Sequence, residues 1–124
     1  MPDVIDSSAA IAFLRDEPGG DVVQPLLGGG LISAVNWSEI LQKAIRYGES
    51  PSETASLLES RGVSVIAVTR GDAVLAAQLW ERGSSLSLAD RFCLAVANRL
   101  GARAVTAERS WADLDTGAEV LLIR

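Results

Sequence analysis

The sequence predicts a single α/β domain with a mostly parallel central sheet of about four to five strands, flanked by helices on both sides. Three observations carry this. Short, apolar, β-branched runs recur at 2–6, 31–35, 63–68, 102–106 and 119–123. Stretches of helical periodicity separate most of them. The strand runs lack polar alternation, as expected of strands covered on both faces by crossover helices. The length of 124 residues suits one domain over 1–124, enough to bury roughly two thirds of the unfolded surface in one core.

The elements follow in order. A strand at 2–6 leads into a helix over 7–16, with Ala10, Ile11, Phe13 and Leu14 on its apolar side. DEPGG breaks the chain, and a short helix over 21–27 is bent at Pro25, whose ring cannot continue it. Gly28–Gly30 make a turn and not a phosphate loop, because no Lys-Ser/Thr follows. The helix over 36–47 places Trp37, Ile40, Leu41, Ala44 and Ile45 on one face. Ser50, Pro51 and Glu53 spell the start of another helix with a capping box. After the strand at 63–68, TRGD caps a helix over 72–82 carrying a stripe of Val74, Leu75, Gln78 and Leu79. A nearly all-apolar helix runs from Ser87 to Leu100 and ends at Gly101, so it lies deep, with Phe92 and Cys93 in the core. ERSWADL is a turn or short helix, and Trp37, Trp80 and Trp111 are core or interface anchors.

Two absences narrow the chemistry. There is no histidine, which removes imidazole acid–base catalysis, His-activated nucleophiles and His-ligated zinc. The lone Cys93 permits neither an intrachain disulfide nor a cysteine metal cage. Carboxylates remain, and oxygen donors select hard cations such as Mg²⁺ or Mn²⁺. The net charge of −5 argues against broad nucleic-acid affinity, although a local basic stripe beside a cation can still hold a phosphodiester. No apolar run reaches the ~18 residues of a membrane span, and the opening Met-Pro-Asp is unlike a signal peptide. The expectation is a soluble, cytoplasmic chain with no membrane contact.

The acids fall in a pattern. Asp6 ends the first strand, Glu39 lies in the first turn of the helix after the second strand, and Glu108 follows the strand ending at Thr106. Asp90 lies in the first turn of a helix joined to that strand through Gly101, so it starts over the strand's C-terminal end. All four therefore map to the sheet edge where open parallel sheets bind ligands. Each has a plain alternative. Asp6 could cap its helix, Asn36/Glu39 and Ser87/Asp90 fit capping boxes, and Glu39 could pair with Lys43. Four carboxylates at one edge repel one another, and a divalent cation reverses the sign of that interaction.

VIDSSAAIAFL, AVNWSEIL around Glu39, LSLADRFCLAVA around Asp90 and AVTAERSW together resemble the PIN-domain ribonucleases, with VapC-type toxins of toxin–antitoxin pairs the nearest likeness. The resemblance implies a PIN-like domain that hydrolyses RNA with Mg²⁺ or Mn²⁺, using Asp6, Glu39, Asp90 and Glu108 as metal ligands and catalytic acids. Thr106 and Ser7 support them. The family's usual Thr-x-Asp reads Thr106-Ala107-Glu108 here, which lengthens the last arm by one methylene and leaves Asp113 or Asp115 able to share its role. Lys43, Arg46, Arg91 and Arg109 offer an RNA track. A cognate antitoxin and homodimerisation are the partners implied. The alternative is a weakened PIN-fold binding module; a phosphoacceptor receiver domain is disfavoured, since it needs paired acids near the first strand.

Overall fold

The computed structural model describes residues 2–124. Five strands, β1 (Val4–Ile5), β2 (Leu31–Ser33), β3 (Ser64–Ile66), β4 (Ala104–Thr106) and β5 (Val120–Leu122), form one sheet in the order β3-β2-β1-β4-β5. Every pairing is parallel, so the expected sheet is present with no antiparallel member. From β1 the chain builds outward to β2 and β3, then crosses back to add β4 and β5 on the other side. This reversal lies between β1 and β4, the place where doubly wound sheets open a crevice at their C-terminal edge.

Successive strand residues point to opposite faces, and two cores result. Ile5, Ile32 and Val105 pack with helices α1 (Ser7–Leu14), α3 (Ala34–Arg46) and α4 (Pro51–Ser60). Val4 and Ala104 pack on the other side with α6 (Leu88–Leu100) and Trp111. The run Cys93–Ala97 is wholly buried, as its apolar circumference requires. Phe92 beside it is only half-buried. A short helix α2 (Gly20–Val23) continues into a 3-10 turn at Gln24–Leu26 around Pro25, and approaches α1 so closely that a Cβ on Gly20 would stand 2.6 Å from the Ala12 carbonyl oxygen.

Several boundaries differ from expectation, each for a local reason. Strand β2 ends at Ser33, whose hydroxyl accepts the Asn36 N–H and starts α3 two residues early. Glu39 consequently sits in the second turn of α3 and not the first. Ser50 caps α4 through the Glu53 N–H, but no reciprocal bond from the Glu53 side chain forms among the described residues. Helix α5 (Arg70–Gln78) starts from a full capping box of Thr69 with Asp72 and stops short of Arg82. Strand β3 is an edge strand with Val65 exposed. Ile45, Val74 and Trp80 are 62, 51 and 58% exposed, so none of the three is a core residue. Trp111 is the core tryptophan, and Trp37 packs half-buried against the first core.

Helices α5 and α6 are pinned by an ion pair. Arg99 donates from Nε and Nη2 to the two carboxylate oxygens of buried Asp72, at 2.8 and 3.1 Å. Burial works to raise the Asp72 pKa, but the Arg99 and Thr69 hydrogen bonds outweigh it and hold it below 3.8. A depressed carboxylate contributes stability above its unfolded pKa and loses it as pH falls through the folded value. Arg99→Ala is therefore expected to cost about 1–3 kcal/mol at neutral pH, with the difference from wild type shrinking below pH ~3.8. Urea melts at pH 7 and pH 3 measure it, and an equal cost at both would remove this account of the pair.

Candidate active site

At the end of β1 the backbone hands directly to α1, and Asp6 occupies the junction at 1% exposure. The bland and functional readings of this residue divide between its two oxygens. Oδ2 caps α1, accepting the Ser8 N–H at 3.4 Å, and also accepts the hydroxyls of Ser8 at 2.6 Å and Thr106 at 2.9 Å. Oδ1 is buried and has no hydrogen-bond partner among the described residues. Burial pushes the carboxyl from 3.8 up to about 7; the Ser8 and Thr106 hydrogen bonds oppose this, and the charges of Asp90 and Glu39 add to it.

Asp90 repeats the arrangement. It closes the capping box of α6, its Oδ2 accepting the Ser87 N–H at 2.9 Å while Ser87 Oγ accepts the Asp90 N–H at 3.1 Å. Burial raises its pKa against these Ser87 bonds, and Glu108 and Glu39 push in the same direction as burial. No hydrogen bond among the described residues engages Oδ1 of Asp90. Glu39 projects from α3, and Glu108 is exposed at the start of a 3-10 turn over Arg109–Asp113. All four acids line one cavity of about 240 Å³, together with Ser7, Ser8 and Lys43.

The supporting residues fall into two groups. Thr106 bonds Asp6 directly, Ser7 lines the cavity, and Lys43 also lines an adjoining hollow with Glu39 and Arg46. Lys43 and Arg46 take part in none of the ion pairs among the described residues. Arg91 does not reach the cavity: its Nη1 donates to the Ala76 carbonyl at the end of α5, at 2.9 Å, and its Nε is buried. Arg109 donates from Nε to the Arg124 carbonyl and also stands outside it. Asp113 and Asp115 are exposed and do not line it.

Two residues that sequence reasoning did not assign to the site hold it together. Ser8 bonds Asp6 and also accepts the Ala107 N–H at 3.0 Å. Asn36, fully buried, accepts from Ser33 Oγ and donates from Nδ2 to Ser7 Oγ at 3.1 Å and to the Ala89 carbonyl at 3.2 Å. One amide thereby ties the starts of α1, α3 and α6, the helices adjoining or carrying Asp6, Glu39 and Asp90. The readable signal was the spacing Ser33-x-x-Asn36, which competes with Asn36-x-x-Glu39 for the helix start.

The donor set fits a divalent cation. Among the described residues no three His, Cys, Asp or Glu side chains are grouped so that they could hold a metal ion as they stand, and like charges without a counter-ion are not expected to close up. Mg²⁺ takes one or two carboxylates and keeps several waters. A buried, unpartnered Asp6 oxygen in a cavity shared with three other acids matches that open geometry.

The PIN domain family model matches residues 4–117. Among curated protein sequences, none matches significantly. The fold is similar to that of a toxin–antitoxin complex from Klebsiella pneumoniae, with a TM-score of 0.78 at 18% identity, covering 98% of each chain. It is likewise similar to a DNA-bound VapBC from Salmonella typhimurium, with a TM-score of 0.73 at 18% identity over 100% of each chain. VapBC-1 from nontypeable Haemophilus influenzae matches with a TM-score of 0.72 at 16% identity, over 99% of this chain and 98% of that one. Likeness at these identities is a likeness of fold. The family match over nearly the whole chain, on the sheet and acidic crevice just described, makes this protein a member of the PIN-domain family.

Proposed function

We propose that the protein is a Mg²⁺- or Mn²⁺-dependent endoribonuclease and the toxin of a toxin–antitoxin pair. One observation carries this reading: a buried Asp6 oxygen without a partner among the described residues, in a cavity lined by Glu39, Asp90 and Glu108. Asp6 and Asp90 would hold the cation through the oxygens their helix caps leave free. Glu39 and Glu108 complete the negative pocket, and the longer Glu108 arm keeps the charge that the family's usual aspartate supplies. A cation bound there supplies charge neutralisation at the scissile phosphate and an activated water.

The chain's own residues do the rest. Lys43, free of ion pairs among the described residues and lining the same cavity, meets a phosphate beside the acids, and Arg46 extends the basic ridge along α3. With an overall charge of −5, RNA affinity rests on these few cations and is expected to be weak and salt-sensitive. An antitoxin partner is supported by the toxin–antitoxin and VapBC complexes that share the fold. Homodimerisation and a cytoplasmic setting belong to the same proposal; no helix among the described residues is long and apolar enough to cross a membrane.

The test is cleavage of a defined RNA by purified protein. Activity is expected with added Mn²⁺ or Mg²⁺ and is expected to vanish with EDTA or in Asp90→Asn. Cleavage indifferent to chelator would remove the cation from the mechanism. Silence in every metal, with antitoxin capture retained, would favour the binding-module alternative, for which the exposed Glu108 is the structural support.

A further inference from the structure

Beneath Asp6 two hydroxyls form a ladder that helix capping alone does not require. Ser8 Oγ accepts the Ala107 N–H at 3.0 Å and donates to Asp6 Oδ2 at 2.6 Å. Thr106 Oγ1 accepts the Glu108 N–H at 3.0 Å and donates to the same oxygen at 2.9 Å. The two hydroxyl oxygens stand 3.2 Å apart. Since each accepts a backbone N–H, each has its single proton free for the carboxylate. With the Ser8 N–H, three donors gather on Oδ2 and none on Oδ1.

A serine in the first turn of a helix is ordinarily spent on its own backbone or on solvent. This one reaches a backbone N–H 99 residues away, in the turn that carries Glu108. We propose that Ser8 is a positioning residue of the cation site. Its hydroxyl, held by the Ala107 N–H, locks the Asp6 carboxylate so that one oxygen is consumed and the other is left for a divalent cation. The same bond fixes the Glu108 turn relative to Asp6. This role rests on reading the crevice as a cation pocket. Partners that orient a ligating carboxylate typically change metal affinity by about 10–100-fold.

The experiment titrates Mn²⁺ into metal-free wild type, Ser8→Ala, Ser8→Thr and Ser8→Cys. Binding is read calorimetrically and from the electron paramagnetic resonance of free Mn²⁺, and folding from circular dichroism. Ser8→Thr keeps the hydroxyl and is expected to bind within about threefold of wild type, whereas Ser8→Ala is expected to bind about tenfold or more weakly. Ser8→Cys fills the space with a poor donor, and it carries the test if the alanine variant does not fold. Wild-type affinity in folded Ser8→Ala or Ser8→Cys overturns the role of Ser8 while leaving the cation pocket intact. Affinity in Ser8→Thr as weak as in Ser8→Ala also overturns it. Absence of Mn²⁺ binding in wild type removes the pocket reading itself, and the role of Ser8 with it.

Discussion

Asp6→Asn is expected to lower RNA cleavage by about two to three orders of magnitude, the scale of losing one preorganised electrostatic contact, while making the metal-free protein more stable at neutral pH. The second half follows from burial. Folding raises the Asp6 pKa from 3.8 to about 7. The folded state therefore binds the proton more tightly than the unfolded one, and stability falls as pH climbs between those values. Each pKa unit is worth about 1.4 kcal/mol, so the full penalty above pH ~7 is about 4 kcal/mol. Asparagine escapes it but leaves a buried amide without a partner, at a cost of about 1–3 kcal/mol. The net expectation is a gain of about 1–3 kcal/mol at pH 8, read from urea melts in chelator. That gain should turn into a loss of about 1–3 kcal/mol below pH ~4, and it should shrink when Mn²⁺ stabilises the wild type by mass action. A variant that is less stable than wild type at pH 8 without metal would contradict the burial argument.

The largest effect on stability is expected from Trp111→Ala, at about 3–5 kcal/mol. Trp111 is 1% exposed and packs with Val4, Leu94 and Ala104 beneath the sheet. Its backbone N–H donates to the Glu108 carbonyl at 3.1 Å, so the buried indole roots in the core the turn that carries the fourth acid. A midpoint drop of about 10–20 °C is expected in thermal melts, together with weaker Mn²⁺ binding at temperatures where the variant remains folded. If the loss were under about 1 kcal/mol, the deletion would not be opening a cavity in a packed core.

Much of this was legible in the chain because local and global signals agree. VID followed by SSAAIAFL demands a strand, a cap and a buried helix, and the structure supplies all three. SLAD spells a capping box and also delivers Asp90 to the crevice. The parallel sheet followed from strands without polar faces. What stayed hidden were choices between equivalent local signals and contacts across long separations. Ser33 and Asn36 both suit a helix cap, and only the structure shows Ser33 capping while Asn36 turns inward to bridge three helix starts. Arg91 follows an acid in sequence, yet helical geometry turns its guanidinium toward Ala76. Ser8 looks like an ordinary first-turn serine until β4 is placed beside β1. Ile45 and Val74 had the right periodicity for burial, but both stay exposed among the described residues.

The pairing of β1 with β4 joins Val4 to Ala104 and Ile5 to Val105, and this joins the timing of the chain's synthesis to its chemistry. Nothing made before the fourth strand can assemble the crevice, because Thr106, Ala107 and Glu108 come late and Asp6 comes first. Loop closure over such a span is slow compared with local helix formation. A nascent or clipped polypeptide ending near residue 100 would lack β4 and Glu108, and on the proposed function it is expected to leave RNA uncut.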